Sequence, residues 1–250
     1  SFGADWFVIV GYSSGKVWRS RGGKSWIRGV DIPWGGYHRW SAPAYNGRVF
    51  CSVSEWTGAC VVSDDGDVWT SFSSLPSISH NVCGGNGTLV AGGYNGSENG
   101  KVFVSDDDGF SWRTVLMPSS VSSYRAIKFD GSSWLALATD GSTAISIDKC
   151  SSWTAGASVG VLNEPSMAGT GSDWLISDKY GGLASFDNAQ SWQVIDYPVA
   201  AEGFGGTLET DGYVFITVPS AQNSKTRFIN TMSDKLIKKM DNEDSKKKLQ

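Results

Sequence analysis

The segment Ser105-Asp106-Asp107-Asp108-Gly109-Phe110-Ser111-Trp112 decides the fold, because its pattern returns along the chain. Residues 146–153 and 185–192 repeat the serine, aspartate, serine and tryptophan at the same spacing, and residues 63–69 and 20–26 carry versions one residue shorter. The tryptophans that end these five repeat segments lie at positions 26, 69, 112, 153 and 192, so successive spacings are 43, 43, 41 and 39 residues. A period of about forty residues predicts a fold built from one repeated unit.

The repeat segments have the composition of tight turns between strands. Aspartate and serine side chains bond to nearby backbone amides, and glycine adopts positive φ without strain. A tryptophan that follows such a turn can fill the space between stacked sheets, so we expect all five to be largely buried. The residues with this structural role are Ser20, Trp26, Ser63, Asp65, Trp69, Ser105, Asp107, Gly109, Trp112, Ser146, Asp148, Trp153, Ser185, Asp187 and Trp192.

Three repeat segments depart from the pattern at one position each. Gly22 stands where the other segments have aspartate, whereas Cys150 and Ala189 stand where the third segment has Gly109. Since the missing residues are those that favour a tight turn, we expect these three turns to be less well specified.

Between the repeat segments the chain reads as short strands joined by turns. In the third unit, strands are predicted at 80–84, 88–93, 101–105 and 111–115, with Asn-Gly pairs at positions 86 and 95 as turn signals. The segments that match the second strand of such a unit are 6–10, 48–53, 88–93, 134–139, 174–177 and 213–218. The sequence therefore predicts an all-β fold.

The repeat segments resemble the Asp-box, or bacterial neuraminidase repeat, of the sialidase-like β-propellers, and the resemblance covers most of residues 5–220. It implies a β-propeller of four-stranded antiparallel blades, with each repeat segment between the third and fourth strands. Six second strands predict six blades, in which the chain begins at a second strand. A propeller of five blades is the alternative, with residues 205–210 completing the first blade.

Residues 225–250 differ from the rest, so we divide the chain into a propeller domain, 1–224, and a C-terminal tail, 225–250. The domain contains 13 Lys+Arg and 21 Asp+Glu, a net charge of −8, whereas the tail contains 8 and 4, a net charge of +4. Four apolar residues of the tail have helical spacing: Met232, Leu236, Ile237 and Met240. The tail is thus predicted to form a short amphipathic helix that is either solvated or docks on another subunit.

Composition and charge argue against several classes of function. The acidic domain does not suit nucleic acid, because phosphate binding relies on a basic surface. The chain has no signal peptide and no apolar run of about eighteen residues, so we expect no membrane span. The cysteines lack metal-ligand spacing, and we predict no metal and no cofactor. Cys51 and Cys60 could face each other across a hairpin, although two buried thiols are the favoured interpretation.

No catalytic residue is predicted, and we expect the protein not to be an enzyme. The resemblance implies that an active sialidase has an arginine before an Ile-Pro pair, whereas here Asp31 precedes Ile32-Pro33. The chain has only two histidines, so there are few candidates for the histidine of a Ser-His-Asp triad. Eight of the 25 Asp and Glu residues lie in repeat segments, and the carboxylates outside them to consider for glycoside hydrolysis are Glu55, Glu164, Glu202 and Glu209.

One region carries more aromatic and hydrogen-bonding side chains than the repeat requires. Aromatic faces flanked by donors suit sugar rings, and Trp, Tyr and Arg are also typical anchors of protein interfaces. Trp40 has an alternative role as a core residue at the start of a strand. The candidate ligand-binding residues are Trp34, Tyr37, His38, Arg39, Trp40 and Trp56.

The resemblance also carries a functional expectation. Short Asp-box propellers without catalytic residues resemble tail-associated or head-decorating proteins of bacteriophages. This resemblance is at the level of the family and does not rest on a particular site. The implied function is a non-enzymatic structural or receptor-binding component of the virion, made in the host cytoplasm. Its expected partners are other virion subunits, through residues 225–250, and a host surface glycan. The alternatives are a lectin-like propeller, a glycosidase of sialidase-like fold, and a scaffold resembling the Asp-box assembly factors of photosynthetic complexes.

Overall fold

The computed structural model describes residues 1–33, 38–76, 79–92, 100–118, 124–162, 165–177 and 182–195, together with three later strands. All regular structure in these residues is β-strand, which confirms the all-β prediction. The helix predicted at 232–240 lies outside the described residues. The described part of the tail is the strand Arg227–Ile229.

The strands form six antiparallel sheets, and strands adjacent in sequence are adjacent in each sheet. The first sheet contains β1 (Phe2–Gly3), β2 (Trp6–Val10), β3 (Val17–Ser20) and β4 (Ile27–Arg28), and the second contains β5 (Ala44–Tyr45), β6 (Phe50–Val53), β7 (Ala59–Ser63) and β8 (Thr70–Ser74). The third contains β9 (Asn81–Gly85), β10 (Thr88–Gly92), β11 (Lys101–Ser105) and β12 (Arg113–Leu116), and the fourth contains β13 (Tyr124–Phe129), β14 (Trp134–Ala138), β15 (Thr143–Ser146) and β16 (Thr154–Ala155). The fifth contains β17 (Ser166–Thr170), β18 (Asp173–Ser177), β19 (Gly182–Ser185) and β20 (Gln193–Ile195), and the last contains β21 (Thr207–Thr210), β22 (Phe215–Val218) and β23 (Arg227–Ile229).

The repeated unit predicted from the sequence is present. Five sheets have four strands, and the last has three among the described residues. The second strand of every sheet coincides with one of the six predicted second strands, to within two residues at either end. Five four-stranded sheets fit a propeller of five blades, and a sixth blade stays a prediction.

The amino terminus does not begin at a second strand, contrary to the expectation. Phe2 and Gly3 pair with the start of β2 and provide the first strand of the first sheet. The tight turn between β1 and β2 consists of Ala4 and Asp5. Both residues have positive φ (44° and 64°), which suits the twist of a two-residue hairpin. β1 supplies the first strand of the first sheet and β21 pairs with β22 in the last, so residues 207–210 are not needed to complete the first blade. A strand of two residues has no hydrophobic pattern by which the sequence could reveal it.

Contacts divide the chain into two units, Ser1–Leu162 and Asn163–Gln250. The first unit contains the first four sheets. The second contains the fifth sheet and the three last strands. The candidate ligand-binding residues all belong to the first unit.

Hydrophobic side chains fill the spaces between successive sheets of the first unit. Three buried clusters form, one at each of the three sheet-to-sheet contacts. Phe50 and Cys51 belong to different clusters, because neighbouring side chains of a strand point to opposite faces. The second and third sheets are therefore covered on both faces. This is why β6 and β10 are mainly apolar and are buried along their whole length instead of alternating.

The first sheet is covered on one face only by the residues that the structure describes. Val8 and Val10 point toward the second sheet and are buried, whereas Phe7 and Ile9 point the other way and are exposed. β2 consequently shows the alternation that is typical of a strand with one solvated face.

Hydrogen bonds hold the third repeat segment as a compact turn. The Ser105 hydroxyl donates to Asp107 Oδ1 (2.8 Å) and accepts from the Gly109 N–H (2.9 Å). The Asp107 carboxylate accepts from the backbone N–H (2.9 Å) and the hydroxyl (2.6 Å) of Ser111. Equivalent bonds of 2.6–3.0 Å form in the fourth and fifth segments.

The substitutions of glycine do not loosen these turns, contrary to the expectation. Cys150 and Ala189 adopt left-handed backbone conformations (φ 59° and 60°) at the position of Gly109 (φ 91°). A left-handed residue other than glycine costs about 1–2 kcal/mol, and the four side-chain hydrogen bonds of each turn oppose that cost. In the first segment, where Gly22 replaces the aspartate, the Gly23 N–H still donates to Ser20 Oγ (2.9 Å).

The five repeat tryptophans are not equally buried. Trp69 and Trp153 are buried, and Trp112 and Trp192 are half-buried, whereas Trp26 is 38% exposed. Trp69, Trp112 and Trp153 each belong to the cluster between their own sheet and the preceding one. Trp26 belongs to none of these clusters, and the expectation of burial is wrong for it.

Replacing Trp69 by alanine is expected to lower the free energy of unfolding by about 3–5 kcal/mol, because the ring leaves a cavity between two sheets. Trp26→Ala is the matched control and is expected to cost less than about 1 kcal/mol, because its ring is partly exposed. Urea unfolding followed by far-UV circular dichroism measures both. Equal losses for the two variants would contradict this difference in packing.

Acid is expected to weaken the fourth repeat segment. The backbone N–H and the hydroxyl of Ser152 lower the pKa of Asp148 from 3.8 to about 2. The folded state thus favours the carboxylate, and its contribution is present above pH of about 4 and is lost as the pH falls toward 2. Asp148→Asn should be less stable at neutral pH and should lose less stability over that window, as measured by thermal unfolding. Asp64→Asn removes a carboxylate without a bonded partner among the described residues. This variant should lose as much stability between pH of about 4 and 2 as the unmodified chain does.

Candidate functional site

The structure brings four of the six candidate residues together at one end of the second sheet. Trp34 and Tyr37 lie outside the described residues. His38, Arg39 and Trp40 approach the turn between β6 and β7, which contains Trp56, and Trp40 forms an isolated bridge with Ser54. Two backbone bonds fix this arrangement: the Trp40 N–H donates to the Tyr12 carbonyl (2.7 Å), and the Glu55 N–H donates to the Arg39 carbonyl (2.7 Å).

Trp40 is a core residue. Only 1% of its surface is exposed, and it packs in the cluster between the first and second sheets. A ring in this position cannot contact a ligand at the surface. The assignment of Trp40 as a ligand-binding residue is therefore wrong, and its alternative role at the start of a strand is the one that the structure supports.

His38 fixes the local backbone. Its ring stacks on Trp40, with 5.1 Å between the ring centroids and 20° between the planes. Its Nδ1 lies 3.1 Å from Ser54 Oγ and 2.9 Å from Thr57 Oγ1. These contacts connect the segment before the second sheet to the β6–β7 turn and position the neighbouring Arg39.

Arg39 stacks on two exposed aromatic rings. Its guanidinium carbon lies 4.2 Å from the ring centroid of Trp56 and 5.5 Å from that of Tyr12. Trp56 is 52% exposed, and Tyr12 is exposed to a similar extent. None of the ion pairs in the described part of the chain involves Arg39. A cation over aromatic faces gains about 0.5–1 kcal/mol at an exposed site and keeps its N–H donors available.

Glu55 adds an acceptor beside this arginine. Its Oε2 accepts a hydrogen bond from the Tyr12 hydroxyl (2.9 Å) and lies 3.9 Å from Nδ1 of His80. Tyr12, Arg39, Glu55 and Trp56 form what we call the arginine–aromatic patch, with His80 at its edge. The patch offers two aromatic rings, guanidinium donors and a carboxylate within one small surface, and these are side-chain types found at protein interfaces and beside bound sugars.

The sequence did not indicate Tyr12 as part of this site. Tyr12 follows β2 in the first sheet and lies far from Arg39 in the chain. Only the backbone bond to Trp40 brings the two segments together. His80 lies at the surface with 44% of its side chain exposed. Among the other carboxylates considered for catalysis, Glu164 and Glu202 lie outside the described residues, and the structure does not describe the side chain of Glu209.

A second concave surface lies between the second and third sheets. This groove has a volume of about 600 Å³, within the range of ligand sites. Its apolar side chains include Phe72 and Phe110, whose ring centroids are 4.1 Å apart. The other lining residues are Val49, Val62, Ser63, Asp64, Asp65, Val68, Thr70 and Asp108.

Two of the three carboxylates in the groove are paired with arginines. Asp65 lies 3.3 Å from the Arg19 guanidinium, and Asp108 lies 2.8 Å from that of Arg48. Partial burial opposes ionisation of Asp65, but the backbone N–H of Asp67 and the Arg19 charge outweigh it, so its pKa is lowered. A carboxyl with a lowered pKa is a poor general acid, since glycoside hydrolysis requires one acid with a raised pKa.

Two buried cysteines form one close pair of free thiols. The sulfur atoms of Cys51 and Cys60 are 3.6 Å apart, and both residues are buried and unoxidised. The hydrogen bond with Cys60 and then burial raise the pKa of Cys51, which makes it a weak nucleophile. The favoured interpretation of two buried thiols is confirmed.

Two further features are absent from the described residues. No three side chains of His, Cys, Asp or Glu in that part of the chain form a group that could hold a metal ion. In the same residues, no helix is long and apolar enough to cross a membrane.

Comparison with known proteins identifies the fold and no family. No protein-family profile matches the chain, and no curated protein matches its sequence. Among solved structures, YCF48 from Cyanidioschyzon merolae is similar over 92% of this chain and 83% of its own, with a TM-score of 0.63 and 14% identity. YCF48 bound to D1 peptide is similar over 85% of this chain and 71% of its own, with a TM-score of 0.56 and 14% identity.

A Niastella koreensis GH74 enzyme is similar over 92% of this chain, with a TM-score of 0.63 and 18% identity. The chain spans only 36% of the length of that enzyme. These proteins are β-propellers, and the likeness establishes a β-propeller fold for this chain. At such identities the likeness extends to the fold alone.

The two tryptophans of the candidate site are expected to differ in their effect on stability. Trp40→Ala should lower the melting temperature by about 6–20 °C, because a buried ring is worth about 3–5 kcal/mol. Trp56→Ala should lower it by about 2 °C or less, since half of the ring is already in water. Differential scanning calorimetry measures both variants. A large destabilisation by Trp56→Ala would show that this side chain is part of the core rather than of a binding surface.

Proposed function

We propose that this protein is a non-enzymatic binding propeller, a structural or receptor-binding component of a bacteriophage virion that contacts its partner through the arginine–aromatic patch. One observation carries the proposal. The Arg39 guanidinium, which has no carboxylate partner among the described residues, lies 4.2 Å from the ring centroid of the half-exposed Trp56. Trp, Tyr and Arg are the side chains that contribute most binding energy at protein interfaces.

The patch is preorganised. The Arg39 carbonyl accepts from Glu55, and the hydroxyl of Tyr12 donates to the carboxylate of the same glutamate. Two rings and a stacked guanidinium therefore lose little conformational freedom when a partner binds, which reduces the entropic cost of association. The free donors of Arg39 suit an acidic side chain of the partner, while the rings suit its apolar neighbours.

The virion assignment rests on the resemblance of the repeat segments to the Asp-box. The repeated bonds between Ser, Asp and the turn backbone support membership of that family, because they give the aspartate and serine of the motif a defined role. We also propose six blades, the last built on β21, β22 and β23, and a helical tail after Ile229. Location in the virion and contact with other virion subunits belong to the same proposal.

Glycan binding is the second candidate function. Trp56 and Tyr12 expose ring faces beside the donors of Arg39 and the acceptor of Glu55, and sugar rings are bound by this combination. A lectin-like propeller would use the same patch, so the two candidates differ in the ligand and not in the site. A glycosidase is less well supported, because the pKa of Asp65 is lowered whereas glycoside hydrolysis requires one acid with a raised pKa.

Sedimentation of the labelled full chain with cell envelopes from a panel of bacteria tests the proposal. We expect envelopes of at least one strain to bind it, and Arg39→Ala and Trp56→Ala to weaken binding by about tenfold or more. Arg28→Ala is the matched control, because Arg28 also stacks on an exposed tryptophan, Trp18, at 6.0 Å but lies outside the patch. This control should bind as the unmodified chain does.

A glycan array separates the two candidates. Binding to one class of glycan, lost in the same two variants, would favour the lectin-like function. Binding to envelopes that survives both substitutions, or no binding to any envelope, would contradict a receptor-binding role for the patch.

A further inference from the structure

The groove between the second and third sheets has features that neither the fold nor the arginine–aromatic patch requires. Val68 and Phe110 are each about three-fifths exposed (60% and 58%), although they follow the turns of two adjacent repeat segments. Phe110 is in ring contact with Phe72 of β8, so the groove has an aromatic wall made by two sheets. Apolar side chains gathered at a concave surface favour a partner that removes them from water.

The rim of the groove is acidic. Asp64, Asp65 and Asp108 contribute carboxylates, and no lysine or arginine is among the lining residues. Asp65 and Asp108 are paired with arginines from outside the groove. Asp64 is exposed and has no hydrogen bond or ion pair within the part of the chain that the structure describes. The groove thus combines an apolar interior with one carboxylate that is free to pair with a cation.

The chain carries a segment with the complementary chemistry. Residues 232–248 combine apolar side chains at helical spacing with lysines, in a tail whose net charge is +4 against −8 for residues 1–224. The lysines are Lys235, Lys238, Lys239, Lys246, Lys247 and Lys248. An amphipathic cationic helix is a common ligand for an apolar groove with an acidic rim, because its face enters the groove while its charges meet the rim.

We propose that the groove binds residues 232–248 of a second copy of this chain. Leu236 and Ile237 contact the wall formed by Phe72 and Phe110, and a lysine ammonium, from Lys238 or Lys239, pairs with Asp64. The inference deepens the proposed structural role, because it gives the basic tail a defined acceptor on a neighbouring subunit. It is independent of the arginine–aromatic patch, which no substitution below affects.

The contact has a defined salt dependence. An ion pair at an exposed rim weakens as salt screens it, whereas apolar burial does not. Self-association should therefore decrease with added sodium chloride without being abolished. A contact made by charge alone would disappear, and a contact made by the aromatic wall alone would be insensitive to salt.

Sedimentation velocity of the full chain over a concentration series tests the proposal. The unmodified chain should self-associate. Asp64→Lys and Phe110→Ser should each raise the dissociation constant by about tenfold, and Lys238→Glu combined with Lys239→Glu should do the same. Asp64→Lys combined with the two glutamate substitutions should restore association, because the charges are then exchanged. Asp31→Lys, which reverses the same charge outside the groove, is the control and should associate as the unmodified chain does.

Three results would overturn the proposal. The first is a chain that stays monomeric at every concentration, which would mean that no second copy occupies the groove. The second is self-association that is unaffected by Asp64→Lys and Phe110→Ser, which would place the contact elsewhere. The third is a charge-exchanged variant that remains as weak as its parents although circular dichroism shows it to be folded. None of these results affects envelope binding by Arg39 and Trp56, so the two proposals can fail separately.

Discussion

The packing of each sheet against the one before it is the interaction on which the rest of the first unit depends. The second and third sheets are buried on both faces, and their central strands have no solvated side. A short four-stranded sheet with one covered face gains little from burial, so the units stabilise one another in series. Trp69, Trp112 and Trp153 contribute to the same interfaces, so their burial depends on packing between sheets as well as on the local motif.

The turns of the repeat segments show how much substitution such a motif tolerates. Serine and aspartate make four bonds in each of the last three segments, and these bonds persist where Cys150 and Ala189 occupy a left-handed position that favours glycine. The carboxylate is stabilised as an anion, with the pKa of Asp148 lowered to about 2, so the network is at full strength at neutral pH. A turn fixed by side-chain bonds allows residues such as Phe110 and Asp108 to vary without loss of the fold.

The two candidate contact surfaces arise in different ways. The arginine–aromatic patch is made by loops at the end of two adjacent sheets, where backbone bonds hold Tyr12, Arg39 and Glu55 in place. The groove is made by the space between two sheets, where repeat segments supply Phe110 and the carboxylates and β8 supplies Phe72. Loops on a rigid scaffold carry function without disturbing packing, and interfaces between repeated units provide concave surfaces.

The sequence by itself determined the repeated unit and most of its strands. The spacing of serine, aspartate and tryptophan is a local property, and local patterns decide where strands and turns form. The sequence also indicated Arg39 and Trp56 as candidate binding residues, because the repeat does not require them. It could not reveal β1, because two residues carry no pattern, or the different burial of Trp26 and Trp69, because burial depends on a neighbouring sheet.

Tertiary structure alone decided the composition of the site. A backbone bond from Trp40 brings Tyr12 close to Arg39, and the Trp40 ring is buried in the core. Asp64 and Phe110 line one groove because two sheets pack together. Each of these features depends on which face of a strand packs against which neighbouring sheet. Packing between units determines that arrangement, and the sequence of one unit alone does not specify it.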